Sequence, residues 1–399
     1  MNRFESVPGG VGTGERPRRL VAIDALRGVA VLAVVIGHLP FSMSLATDSV
    51  KTSALPWWFT KTVAFGGYGV NLFFVISGFC IHMSWARSPE AKIDFVGFWR
   101  RRLHRLYPPY FVALIGSLAG LFLLHRLLGD AGSGIGSRFG YGSTSAFLID
   151  LAVLLLLLQN FNGASHRIGN GPFWSLAIEE HLYLLYFPLL WLRRKLGWTR
   201  TFAIVLAVTL GWRIAADFAG PPFSVFHAPA RWAEWVLGAI AVEAHLGRTV
   251  LPSWCYSLPL GLVLLALGLA AGSPAALASP TLHTLIFMDL ILGAAFFVIL
   301  NSACRAGWGA KASDGRMVRV LSRVGLFSYS IYLVHEPLIV AAKHVAIRFG
   351  WSIPAIAAAR LLVAIGGGYL FFVVVERRFL NRTRAEPISE ALPPAATAQ

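Results

Sequence analysis

Charge is scarce in this chain of 399 residues, and acidic charge scarcer still. Charged residues make up 14%, with 19 Asp and Glu against 35 Lys and Arg. A water-soluble domain carries about 25% charged residues, so the shortage excludes an ordinary soluble globular fold. Cysteine is nearly absent too. Cys80, Cys255 and Cys304 show no metal-ligand spacing and no even number to pair, which excludes a zinc module and a disulfide framework. The three read as small core residues, and no metal is expected. Also missing are a Walker loop, a Rossmann glycine pattern and a serine-nucleophile elbow. No small-residue cleavage site follows the first apolar run, so that run reads as a signal anchor rather than a removable signal peptide.

What is present is apolar. Hydrophobic residues make up 56% of the chain, and windows of about 17–25 such residues recur along it, as spanning helices require. The 13 Trp and 10 Tyr fit aromatic belts at a membrane interface. A net charge of +16 would also fit a nucleic-acid partner, but the basic residues lie in short loops beside hydrophobic runs. That is the placement the positive-inside rule produces. Membrane lipid is therefore the expected surroundings, and no nucleic acid is expected.

The apolar segments are 20–41, 68–85, 107–128, 173–192, 201–217, 230–245, 257–272, 284–303, 325–345 and 353–375. One further segment, 147–158, is short for a span and contains Asp150. The basic loops decide its role. If it does not cross, Arg193, Arg194 and Lys195 share one side of the membrane with the loop Arg87, Lys92, Arg100, Arg101, Arg102 and Arg105. The loop Arg305, Lys311, Arg316, Arg319 and Arg323, and the tail residues Arg377, Arg378, Arg382 and Arg384, fall on that side as well. The expected fold is thus all-α: a polytopic membrane helix bundle of about ten transmembrane helices, with 147–158 re-entrant or interfacial. Residues 1–19 and 381–399 are expected to be disordered cytoplasmic tails around a membrane domain at 20–380. The expected location is the inner (plasma) membrane, with both termini cytoplasmic.

Four polar constellations interrupt this apolar background. The first is IDALRGVAVLAVVIGH, residues 23–38. Arg27 and His38 are eleven residues apart, which on a helix is about 16 Å along the axis and roughly 20° around it. Asp24 falls within roughly 60° of both. A stripe of this kind belongs on the bundle interior or a wet cavity. An ion pair of Asp24 with Arg27, at i and i+3, with His38 capping the far end, is the structural alternative. A neutral imidazole suits a general base near pH 7.

The second is RRLHRLYPPY, in which Arg102 and Arg105 sit one turn apart before a pair of prolines taken as a helix start. Arginine forks suit phosphates, and snorkelling anchors are the alternative. The third is FWSLAIEEHLYL, residues 173–184. Glu179 and Glu180 are adjacent, so at most one faces a given site. Glu179, Tyr183 and Tyr186 share a face. Ser175 could cap the helix, with the carboxylates favoured there by its dipole. The fourth is SYSIYLVHEP, in which Ser328, Tyr332 and His335 form one stripe and Pro337 interrupts the helix; polar glue between helices is the alternative. Arg231, Glu234, Asp289 and Glu376 read as structural pairs.

These stretches, in this order, resemble the acyltransferase-3 family of integral-membrane O-acyltransferases. The likeness covers about residues 20–380. It is carried by DALRG with Arg27 and His38, FFVISGF, RLHRLYPPY, FWSLAIEEHLYL and YSIYLVHEP, followed by ERRF at 376–379. The resemblance implies transfer of an acyl group, usually acetyl from acetyl-CoA, to a hydroxyl of an envelope or exported polysaccharide or glycolipid. Arg27 and His38 match the family's proposed essential arginine and histidine, and Arg102 and Arg105 match its Arg-x-x-Arg. The expected roles follow: His38, Glu179 and Glu180 catalytic; Arg27, Arg102 and Arg105 on the acyl-CoA; Asp24, Trp174, Ser175, Tyr332 and His335 supporting. A secondary transporter of a glycan or small anion is the competing class, but the paired repeats with broken helices of such proteins are not evident.

Overall fold

The computed structural model describes residues 20–44, 65–87, 94–128, 143–162, 171–272, 282–308 and 315–380. The two expected tails, 1–19 and 381–399, lie outside these residues. The described residues are mostly helical, without strands among them. In chain order the helices are α1 (Val21–Ser44), α2 (Gly69–Arg87), α3 (Phe95–Leu128), α4 (Thr144–Leu155), α5 (Gln159–Asn162) and α6 (Phe173–Phe218). Then come α7 (Trp232–His245), α8 (Leu258–Ala271), α9 (Leu282–Ala306), α10 (Arg316–Leu326), α11 (Ser328–Arg348) and α12 (Ile353–Phe371). A π turn, Phe372–Glu376, carries α12 into a last helical turn, Arg377–Leu380.

Seven of these helices are long and apolar enough to cross a membrane, in keeping with an all-α polytopic bundle. α6 holds two of the expected segments in its 46 residues, and the chain breaks between them at Gly197, whose φ of 72° suits glycine alone. α7 and α8 cover two more but are only 14 residues long, about 21 Å against a hydrocarbon core of about 30 Å. α7 tolerates this because nearly all its residues are buried in protein. α4 is a 12-residue helix, too short to span. Its end is marked by Leu157, at φ 55°.

Two local expectations are corrected. The prolines of RRLHRLYPPY do not begin a helix, because α3 starts at Phe95 and runs through Pro108 and Pro109. Asp94 sets that earlier start by accepting from the Gly97 N–H at 2.8 Å. The prolines each remove one helical hydrogen bond, a loss that neighbouring groups make good in membrane helices. Ser175 is not a cap either. Pro172 holds that position without a side-chain bond, and Ser175 instead donates to the Pro172 carbonyl at 3.4 Å and pairs with the Tyr332 hydroxyl.

Lipid gives helices little hydrophobic reason to associate, so close packing and polar bonds do the work. α2 and α7 cross at Gly78 and Gly238, each directly against the other's backbone: Gly78 on the Trp235 carbonyl and Gly238 on the Val75 carbonyl. α1 meets α10 in the same way, with Gly28 on the Leu321 carbonyl and Gly325 on the Asp24 carbonyl. A buried charge network ties α2, α6, α7 and α9 together. Asp289 accepts from Arg231 at 2.6 Å and Arg213 at 2.7 Å, Arg231 also reaches Glu234 at 3.2 Å, and Asn71 donates to both carboxylates. Arg231, Glu234 and Asp289 are thus structural partners, as their sequence positions indicated. Glu376 accepts from Ser330 and joins the π turn after α12 to α11. A second network, Glu243 with Arg193 (2.7 Å), Trp198 (2.8 Å) and His82 (3.1 Å), locks α2 and both halves of α6 to α7.

Candidate active site

α1, α2, α3, α6 and α11 enclose a cavity of about 180 Å³. At one end stand Arg27 from α1, Cys80 from α2, and Arg102 and Arg105 from α3. None of the three arginines forms a hydrogen bond or ion pair with a carboxylate among the described residues. The Arg102 guanidinium lies 5.8 Å from the ring centres of Phe98 and Tyr183, a cation–π placement. Glu376 acts electrostatically on Arg105 and Arg27, without contact. This end is therefore strongly positive and able to take several acidic oxygens.

Midway lies Glu179, whose Oε1 accepts from Ser77 Oγ at 2.7 Å and from the Tyr183 hydroxyl at 2.6 Å. The Trp235 indole donates in turn to Ser77 Oγ at 3.3 Å. Ser175 and Tyr332 line the cavity further along. The Tyr332 hydroxyl donates to the Pro172 carbonyl at 2.6 Å and pairs with the Ser175 hydroxyl.

Next to Tyr332 is His335, their rings 5.6 Å apart. His335 is fully buried. Its Nδ1 donates to the carbonyls of Tyr332 (2.8 Å) and Ile331 (3.2 Å), while Nε2 has no hydrogen-bond partner among the described residues. The His38 ring meets it edge-on, with centroids 5.0 Å apart. His38 Nδ1 donates to the Val34 carbonyl at 2.7 Å. That bond makes Nδ1 the donor nitrogen of the ring.

The structure thus brings Arg27, Arg102, Arg105, Glu179, Ser175 and Tyr332 to one cavity, with His335 and His38 paired behind Tyr332. Three other sequence candidates are placed elsewhere. Asp24 is buried where α1 meets α10. The Trp174 ring packs 5.2 Å from Phe226, and its carbonyl accepts from Asn160 at 2.7 Å. Glu180 is buried beside the cavity, not on its wall. No contact joins His38 to Glu179 or Glu180 among the described residues. Of the tyrosines expected beside Glu179, Tyr183 is there, whereas the Tyr186 hydroxyl pairs with His82 at 3.3 Å. Ser77, Cys80 and Tyr329 also line the cavity and carried no signal of their own. Ser77 and Cys80 sit at i and i+3 inside an apolar run, where helical spacing alone marks no face.

A family model described as "Acyltransferase domain" matches residues 20–375. Acyltransferase MdmB of Streptomyces mycarofaciens is 29% identical over 94% of this chain and 96% of its own. The peptidoglycan O-acetyltransferase OatA of Listeria monocytogenes is 31% identical over 48% of this chain, and a putative peptidoglycan O-acetyltransferase of Bacillus subtilis, YrhL, is 32% identical over 42%. In these last two the matched part is only 27% and 23% of the relative's length. No solved structure matches. With the family model spanning nearly the whole bundle and all parts of the cavity wall, the chain belongs to the acyltransferase-3 family of membrane O-acyltransferases.

Proposed function

We propose that this enzyme moves an acetyl group from cytoplasmic acetyl-CoA to a hydroxyl of an envelope or exported glycan or glycolipid. It does so as a multi-pass protein of the plasma (inner) membrane with both termini in the cytoplasm. The observation that carries the reading is the set of three arginines, without carboxylate partners among the described residues, at one end of a cavity whose wall includes Tyr332, with the His335–His38 pair behind it. Arg27, Arg102 and Arg105 hold the phosphates of the donor, and the pantetheine arm lies along the cavity past Glu179. The eleven-residue offset from Arg27 to His38, about 16 Å of helix, gives the arm its path. Ser175 and Tyr332 face the thioester.

At the far end, His38 Nε2 takes the proton of the acceptor hydroxyl. The oxygen attacks the thioester carbonyl carbon, the C–S bond breaks, and the departing thiolate takes the proton back from His38. The products are the ester and free CoA. Glu179, held by Ser77 and Tyr183, stands between the arginine cluster and the transfer end.

The test uses enzyme in proteoliposomes with labelled acetyl-CoA and a glycan fraction from the same cells. His38→Ala should lower kcat by about 10²–10⁴-fold while the protein stays folded and still binds CoA. Paired Arg102→Ala and Arg105→Ala changes should raise KM for acetyl-CoA. Wild-type turnover in folded His38→Ala enzyme would sink the proposal.

A further inference from the structure

We infer that a second recess, at the arginine-rich end of the bundle, binds the nucleotide portion of the acyl-CoA donor, an adenosine phosphate. This rests on the reading of acetyl-CoA as donor. The cavity along the proposed acyl path holds about 180 Å³, below the roughly 300–1,000 Å³ of sites that enclose a drug-sized ligand. It has room for a thioester and its arm, and a nucleotide needs a place of its own.

A recess of about 380 Å³ opens between the last turns of α7 and α9 and the turn Ser253–Tyr256. It lies directly behind the cavity wall. Cys80 lines the cavity and Cys304 lines the recess, and the two thiols are close enough to interact electrostatically. The ring of Phe79, next to Cys80, is 6.1 Å from that of His245, which also lines the recess. Phe79 and Cys80 of α2 thus stand beside both spaces.

The lining has the chemistry of a nucleotide site. Arg305 and His245 face it, with no acidic residue among the lining groups. Arg87 acts electrostatically on His245, and Arg248 donates to the Arg87 carbonyl at 3.1 Å, so the rim is basic as well. The Arg305 guanidinium sits 4.9 Å over the Tyr256 ring, a flat cationic surface of the kind on which bases stack. Asn301 donates through Nδ2 to the Phe297 carbonyl at 3.0 Å, which leaves its Oδ1 to accept from an exocyclic amine. None of these groups takes part in the transfer step.

The test compares acetyl-CoA with acetyl-pantetheine, which carries the same thioester and arm without the nucleotide. In Arg305→Glu and Tyr256→Ala enzymes, KM for acetyl-CoA should rise about tenfold, with kcat retained. KM for acetyl-pantetheine should change less than twofold, which also shows that the variants are folded. Adenosine 3′,5′-bisphosphate should compete with acetyl-CoA in the wild type and lose potency in both variants. An unchanged KM for acetyl-CoA in both variants, or an equal rise for both donors, overturns the recess as the nucleotide site while leaving the donor reading intact. A wild type that transfers acetyl from neither thioester overturns both.

Discussion

Two adjacent carboxylates are separated by one bond network. Glu179 lines the cavity and accepts from Ser77 and Tyr183, while Glu180 is buried off the wall with Oε1 lacking a partner among the described residues. Replacing Glu179 with Gln keeps one acceptor oxygen but removes the charge that faces the proposed path of the arm. Glu179→Gln should therefore lower kcat more than about tenfold, whereas Glu180→Gln should stay within about threefold, a contrast that steady-state kinetics of the two purified variants checks. Equal losses would show that Glu179 has no special place. Adjacency in sequence showed only that the two side chains diverge by about 100° on a helix. Which one meets the cavity depends on Ser77, some hundred residues earlier on another helix. That position in FFVISGF looks like any small residue in a membrane span. The His38–His335 contact was hidden for the same reason: each histidine stood out alone, and their pairing belongs to the packing of α1 on α11.

At the scale of elements, the apolar runs were legible because hydrophobic length is a local property, and each expected segment is a helix. Helix ends were less so: Asp94 began α3 well before the prolines, and Gly197 broke α6 without ending its hydrogen-bonded run. The crossings were not legible, because Gly78 and Gly238 meet across a large sequence separation. They also set where the bundle is least tolerant. A valine at Gly238 would drive its side chain into the Val75 carbonyl, where backbone on both sides cannot yield. Gly238→Val should cost at least the about 1–3 kcal/mol of ordinary overpacking, read as a lower melting temperature in detergent. The charge network is similarly sensitive. Asp289→Asn leaves Arg213 and Arg231 with one negative charge less between them, and removing one partner of a buried pair costs about 3–5 kcal/mol. A melting temperature unchanged from wild type would show that water or lipid headgroups already screen this network.

For the molecule as a whole, the proposed direction of transfer requires the arginine end of the cavity to open to the cytoplasm. Cys80 offers a way to read this. It is a free thiol exposed within the cavity wall, among Arg27, Arg102 and Arg105. The three arginines around it attract an anionic reagent. With Cys255 and Cys304 changed to serine, a membrane-impermeant anionic maleimide should label Cys80 in inside-out vesicles and leave it unlabelled in right-side-out vesicles. Added CoA should slow the labelling, because the donor's phosphates compete for the same arginines. Labelling from the outer side would reverse the topology on which the positive-inside argument rests, and the donor would then have to arrive from outside. Labelling from the inner side without protection by CoA would keep the topology and move the donor away from these arginines. The two results separate the orientation of the bundle from the occupant of its cavity, which neither the helix order nor the charge distribution can do alone.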